Sequence, residues 1–182
     1  GGNYVGVPYG VANPNVLQAN ISFIADEVIY DGTTAGGMIF SYAQVAFSMA
    51  EAAERGWITD DVATWYYKGI DASMAQWGVS SADATAYKAG AEVVFNSAKA
   101  MEQIATQKWV ALYLQGAEAW AEWRRLDFPV LSPAPDAESG TGIPVRYGYS
   151  ANVAALNEAN YNAAVAAQGA DTQDTKLWWD VK

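Results

Sequence analysis

The chain has 182 residues, 52% of them hydrophobic, and a net charge of -10, with 10 basic residues against 20 acidic ones. This is enough for one domain with a core, or for part of a larger one, and its mean hydropathy of -0.05 is that of a globular chain. The acidity argues against nucleic acid and anionic lipid as partners, and the absence of cysteine and histidine excludes disulfides, thiolate chemistry, Cys-type metal sites and every histidine-based triad.

Residues 1–40 read as a loop-rich segment, with aromatics between glycines and prolines (Tyr4, Tyr9, Phe23, Tyr30). So long a loop inside a compact domain implies function or missing context. Phe23 to Tyr30 is a short strand or a helical turn. Ser41 to Arg55 is a helix. Its polar residues at 41, 44, 48, 51 and 55 form one stripe, and the broad apolar remainder implies packing on two or more sides. Glu51 and Arg55 are a correctly oriented i,i+4 pair, and Gly56 is the stop. Thr59 or Asp60 caps the next helix, which runs to about Trp77 with Tyr66, Ile70, Met74 and Trp77 on one face. Gly69 marks a close approach. The two helices make an antiparallel hairpin resembling a degenerate tetratricopeptide repeat. Ser81 to Lys88 is a short helix, and Ala91 to Ala98 leads toward the next, capped at Asn96 or Ser97.

Met101 to Asp127 is the longest stretch that can be helical throughout, and it holds three of the eight tryptophans. Its apolar centre, Trp109 to Leu114, is expected to be buried all round. Gly116 falls inside it, where close packing of another backbone would explain a glycine. Pro129 stops it. From 128 onward come an exposed loop (131–142), an extended segment (143–149), a short helix (157–168) closed by Gly169, and a tail whose adjacent Trp178 and Trp179 are expected to dock.

Four blocks in order resemble the SusD/RagB family of outer-membrane nutrient-binding lipoproteins. They are the helix at 41–53; Tyr66 to Met74 with Trp77-Gly78; Gln107-Lys108-Trp109 followed by Trp120, Glu122, Trp123, Arg124, Arg125 and Pro129; and Ile143 to Arg146 with the closing Trp178-Trp179-Asp180. Gln44 in place of the family's usual Glu, and Tyr149-Ser150 in place of Tyr-Pro, depart from the pattern. The resemblance implies a mainly α, SusD-like fold with degenerate tetratricopeptide-like hairpins, long irregular loops and little β structure. It also implies no catalytic activity and a location at the outer membrane. The partners would be a SusC-like TonB-dependent transporter and an oligosaccharide or peptide ligand. The chain, which opens Gly-Gly-Asn-Tyr, would then be the C-terminal part of a longer lipoprotein whose lipid anchor lies outside it. Residues 41–127 would carry the hairpin and central helix, and 128–182 the loops, short helix and tail.

The residues themselves allow three functions. Sugar rings stack their C–H faces on aromatics, and amides take their hydroxyls, so Asn3, Tyr4, Tyr9 and Asn13 are the ligand-binding candidates. A helical scaffold binding only protein is the second. The third is a carboxylate hydrolase on Glu118 and Glu122, four apart on one helix, which would need an environment that separates their pKa values. Glu122 with Arg125, three apart, reads instead as an ion pair in a structural network around Trp120, Trp123 and Arg124 that anchors the helix end against the later loops. No cofactor is implied. Asp26 and Glu27 could join a calcium site with oxygens from elsewhere, but two adjacent acids fall short of a full shell.

Overall fold

The computed structural model describes residues 4–25, 37–137 and 142–180. Among them are seven α-helices and no strand, in agreement with the mainly α expectation. Two compact units form: one from residues 37–130, the other from the segments on either side.

The first unit begins with α1, Tyr42–Glu54, and α2, Val62–Gln76. Ser41 caps α1 through a capping box: Gln44 N–H donates to Ser41 Oγ at 3.2 Å, and Ser41 N–H donates to Gln44 Oε1 at 2.7 Å. The cap of α2 is Asp61, not Thr59 or Asp60; its carboxylate accepts from Thr64 N–H at 2.7 Å. Asp60 is drawn off to accept from Trp65 Nε1 at 2.7 Å. Gly69 does mark a close approach: a Cβ there would lie 2.7 Å from the Phe47 ring. Phe47, Ala50, Tyr66, Ile70 and Ile104 centre the core. The Tyr66 hydroxyl donates to Val93 C=O at 2.9 Å, so this buried polar tip is satisfied.

The third helix, α3, Ser81–Lys88, is capped by Ser80. Residues 91–94 form turns instead of a helical lead-in. Asn96 caps a single 3-10 turn at Ser97–Lys99, and α4 follows at Ala100–Ala111.

The long central helix is not continuous. It breaks after Ala111, and α5 starts afresh at Gly116–Leu126. Leu114 takes the left-handed conformation with φ 66°, and Gln115 N–H closes a turn onto Leu112 C=O at 2.8 Å. A non-glycine residue there costs about 1–2 kcal/mol. The return is geometric. In one straight helix, residues 108 and 122 would sit about 21 Å apart along the axis; the break brings Lys108 Nζ to 3.1 Å from Glu122 Oε2. The expectation of burial all round fails with it. Ala111 and Leu112 are buried, but Val110, Tyr113 and Leu114 are 48%, 48% and 55% exposed. Gly116 has nothing within 4 Å of its Cβ position, so no close packing explains it.

In the second unit, α6 at Ala151–Leu156 has Ser150 as its cap, and α7 spans Glu158–Gln168. Residues 143–149 carry no regular structure, but Val145 N–H donates to Gln173 C=O at 2.8 Å. Arg146 is buried and reaches Asp171 Oδ1 through Nη2 at 3.1 Å. Asp171 also accepts from Tyr149 N–H at 3.1 Å and from the Tyr161 hydroxyl at 3.3 Å. The Tyr149 and Tyr161 rings meet edge to face at 5.8 Å. The tail departs from expectation: Trp178 is 86% exposed while Trp179 is half-buried. A turn closed by Asp180 N–H onto Leu177 C=O at 2.9 Å makes the two neighbours diverge. Residues 23–25 form no strand; the rest of that expected element, 26–30, lies outside the described residues.

Candidate functional site

The candidate ligand loop is irregular but tied down. Val5 N–H donates to Ser22 Oγ at 2.9 Å and Ser22 N–H to Val5 C=O at 2.8 Å, fixing the strand of chain beside Tyr4. The Tyr9 hydroxyl donates to Ser132 C=O at 2.9 Å. One residue on, Gly10 has φ 67°, and a Cβ there would overlap Ala134; only glycine fits so close an approach in this conformation. Asp136 fastens the same place twice, donating N–H to Gly10 C=O and accepting from Ala12 N–H through Oδ2, both at 2.9 Å. Residues 132–136 thus clasp residues 9–12 without regular secondary structure.

Of the four candidates, Tyr9 is the one this clasp holds, and it keeps 63% of its surface exposed. Tyr4 is 97% exposed and Asn13 is exposed. Asn3 lies outside the described residues, as do Asp26 and Glu27. Among the described residues, no group of three or more acids is placed to hold a metal ion. Pairing of residues 9–12 with 132–136 had no local signal, since the partners are more than 120 positions apart; the Gly10 turn and the Pro133 and Pro135 loop marked the two edges separately.

The signature residues gather in the other unit. Arg125 meets Glu51 with two parallel bonds of 2.5 Å each, Nη1 to Oε1 and Nη2 to Oε2. Arg55 Nε adds a third to Glu51 at 2.9 Å. Arg125 Nη2 also reaches Glu122 Oε2 at 2.7 Å, and Lys108 Nζ reaches Ser48 Oγ at 3.2 Å as well as Glu122. Burial alone would push the Glu51 carboxyl up, but the guanidiniums of Arg125 and Arg55 outweigh it and hold the group at about 2. The hydrogen bonds that Arg125 donates to Glu51 in turn push the Arg125 pKa further up.

These bonds tie α5 back to α1. Trp123 Nε1 donates to Pro129 C=O at 3.1 Å, just past the end of α5. Arg124 stacks over the Trp120 ring with its Cζ 3.9 Å from the centroid. Glu122, engaged by two cations, is a network member, while Glu118 is exposed in the first turn of α5.

Exposed aromatics outside the expected set include Trp57 at the α1–α2 turn, Tyr147, and the Trp77–Tyr113 pair, whose rings meet at 5.6 Å. Trp57 was legible in principle, because it follows Gly56 and so falls off both helical faces.

No helix among the described residues is long and apolar enough to cross a membrane. The family model described as SusD-like, "Starch-binding associating with outer membrane", matches residues 1–150. A Bacteroidetes AC2a SusD-like structure is 35% identical, with a TM-score of 0.73 over 80% of this chain and 31% of its own. A chitin-binding SusD homolog from Flavobacterium johnsoniae is 28% identical, with a TM-score of 0.66 over 77% of this chain and 36% of its own. An outer-membrane protein from Bacteroides vulgatus, described in terms of nutrient binding, is 25% identical with a TM-score of 0.66, over 78% of this chain and 34% of its own. The chain thus spans about a third of the length of these structures. A comparison with curated proteins gives no match. By the family model, which matches residues 1–150, the chain belongs to the SusD-like family of outer-membrane-associated, non-enzymatic binding proteins.

Proposed function

We propose that the protein, held at the membrane by a lipid anchor outside this chain, captures oligosaccharides at the bacterial outer surface and passes them to a SusC-like TonB-dependent transporter. The observation that carries the reading is the exposed Tyr9 on a loop clasped by residues 132–136, with the exposed Tyr4 and Asn13 on the same loop. A fixed aromatic face offers the apolar side of a sugar ring a platform without the ordering cost of a mobile loop. A flanking amide supplies hydrogen bonds to hydroxyls, and Asn3 is of the same kind. The description of the family in terms of starch and of one relative in terms of chitin supports a glycan over other ligands. The test is calorimetric titration of the full-length protein with malto-, chito- and xylo-oligosaccharides and with a peptide panel. Micromolar to millimolar binding to at least one glycan, weakened by Tyr9→Ala, is expected; silence on all glycans sinks the reading.

A second reading is favoured by a different observation. Val110 near the end of α4 and Tyr113 and Leu114 in the α4–α5 break, with Trp77 against Tyr113, expose aliphatic and aromatic surface outside that loop. Such a face suits a polypeptide partner. Peptide binding that is lost in Tyr113→Ser and untouched by Tyr9→Ala would favour it.

A further inference from the structure

We propose that Asp136 is a positioning residue for Tyr9, and that the pair selects neutral glycans that donate a hydroxyl hydrogen bond; this rests on the oligosaccharide reading above. The Tyr9 hydroxyl spends its single proton on Ser132 C=O at 2.9 Å. A phenol has one O–H to donate, so toward a ligand this oxygen can only accept. Its complement is a donor, such as a sugar hydroxyl, and not a carboxylate, sulfate or carbonyl oxygen.

The clasp then decides where that acceptor sits. Gly10 is pressed against Ala134 in a conformation other residues resist. Asp136 holds both sides of it, with its N–H on Gly10 C=O and its Oδ2 on Ala12 N–H. These two bonds fix the backbone immediately after Tyr9, and the Ser132 bond fixes the far end of its side chain. The ring is therefore held at both ends while remaining 63% exposed.

The same carboxylate sets a charge preference. It is exposed, it stands within the segment that meets Tyr9, and the chain around it carries a net charge of -10. A uronate or sulfated glycan would meet an unfavourable field there, whereas a neutral sugar would not. The spent proton thus sets the need for a donating hydroxyl, the like charge sets the preference for a neutral sugar, and stacking itself stays indifferent to sugar identity.

The experiment compares wild-type full-length protein with Asp136→Ala, Asp136→Asn and Tyr9→Ala by calorimetry, using maltohexaose and chitohexaose as neutral probes and oligogalacturonate as the acidic one. Circular dichroism and thermal melting check that each variant is folded. Asp136→Ala is expected to weaken neutral binding roughly three- to tenfold, the range for losing one ordered contact. Asp136→Asn keeps an oxygen for Ala12 N–H and is expected to restore neutral affinity while narrowing the gap between neutral and acidic probes. A purely structural role would not shift that gap. Neutral binding that Tyr9→Ala weakens and a folded Asp136→Ala does not overturns the positioning role alone. Oligogalacturonate bound more tightly than the neutral probes overturns the selectivity. Wild-type silence on all three probes overturns this inference and the oligosaccharide reading together.

Discussion

Replacing Glu51 by glutamine keeps the shape of the side chain and removes the charge that Arg125 and Arg55 share. The carboxyl is held at about 2 against an ordinary 4.5. That displacement of about 2.5 pH units corresponds to about 3 kcal/mol at about 1.4 kcal/mol per unit. The pKa is depressed on folding, so the stabilisation is present above the ordinary value of 4.5 and is lost as pH falls toward 2. Linkage between these two values places about 2 kcal/mol of the loss above pH 3. Burial makes the effect larger than for a surface pair, because Glu51 is 5% exposed and removing its charge leaves two cations poorly compensated. Urea unfolding at neutral pH and near pH 3 measures it. Wild type should exceed Glu51→Gln by about 3 kcal/mol at neutral pH and by about 1 kcal/mol near pH 3. An equal loss of stability in both proteins over that range would refute the account, since it would show that other carboxylates carry the acid sensitivity.

Further consequences can be measured in the same way. Gly69→Ala should destabilise the first unit by about 1–3 kcal/mol in chemical denaturation, because the new methyl meets the fully buried Phe47 ring 2.7 Å away; a neutral result would mean that the ring can retreat. Arg146→Ala should cost about 3–5 kcal/mol and cooperatively loosen residues 149 and 161 in hydrogen exchange, because it strands Asp171. Arg124→Ala should lower the melting temperature through loss of its stack on Trp120, worth about 1 kcal/mol, and leave glycan affinity unchanged. The reverse pattern would move the ligand site onto α5.

Local chemistry made the first helices legible. The stretch from Ser41 carries its own capping box, and the hairpin, its close glycine and the short helix at 81–88 follow from periodicity and small residues. What failed was local reasoning about residues satisfied from far away. Ser41, Gln44 and Glu51 belong to the polar stripe of α1, yet all three are buried; Glu51 is paid for by Arg125, 74 positions later. The break after Ala111 left no clear mark, because the left-handed residue is Leu114 and the nearby glycine is helical. The resemblance identified the family without help from structure. The clasp on Tyr9 was not readable, since neither half shows its partner.

That break at residues 112–115 also makes the protein sensitive to length as well as to chemistry. Each residue added or removed there would change the direction and the position from which α5 starts. A single insertion would therefore carry Glu122 and Arg125 off the side that faces Lys108 and Glu51, although no charged residue had changed. In this segment the number of residues carries structural information of its own, and a change in count dismantles the clamp.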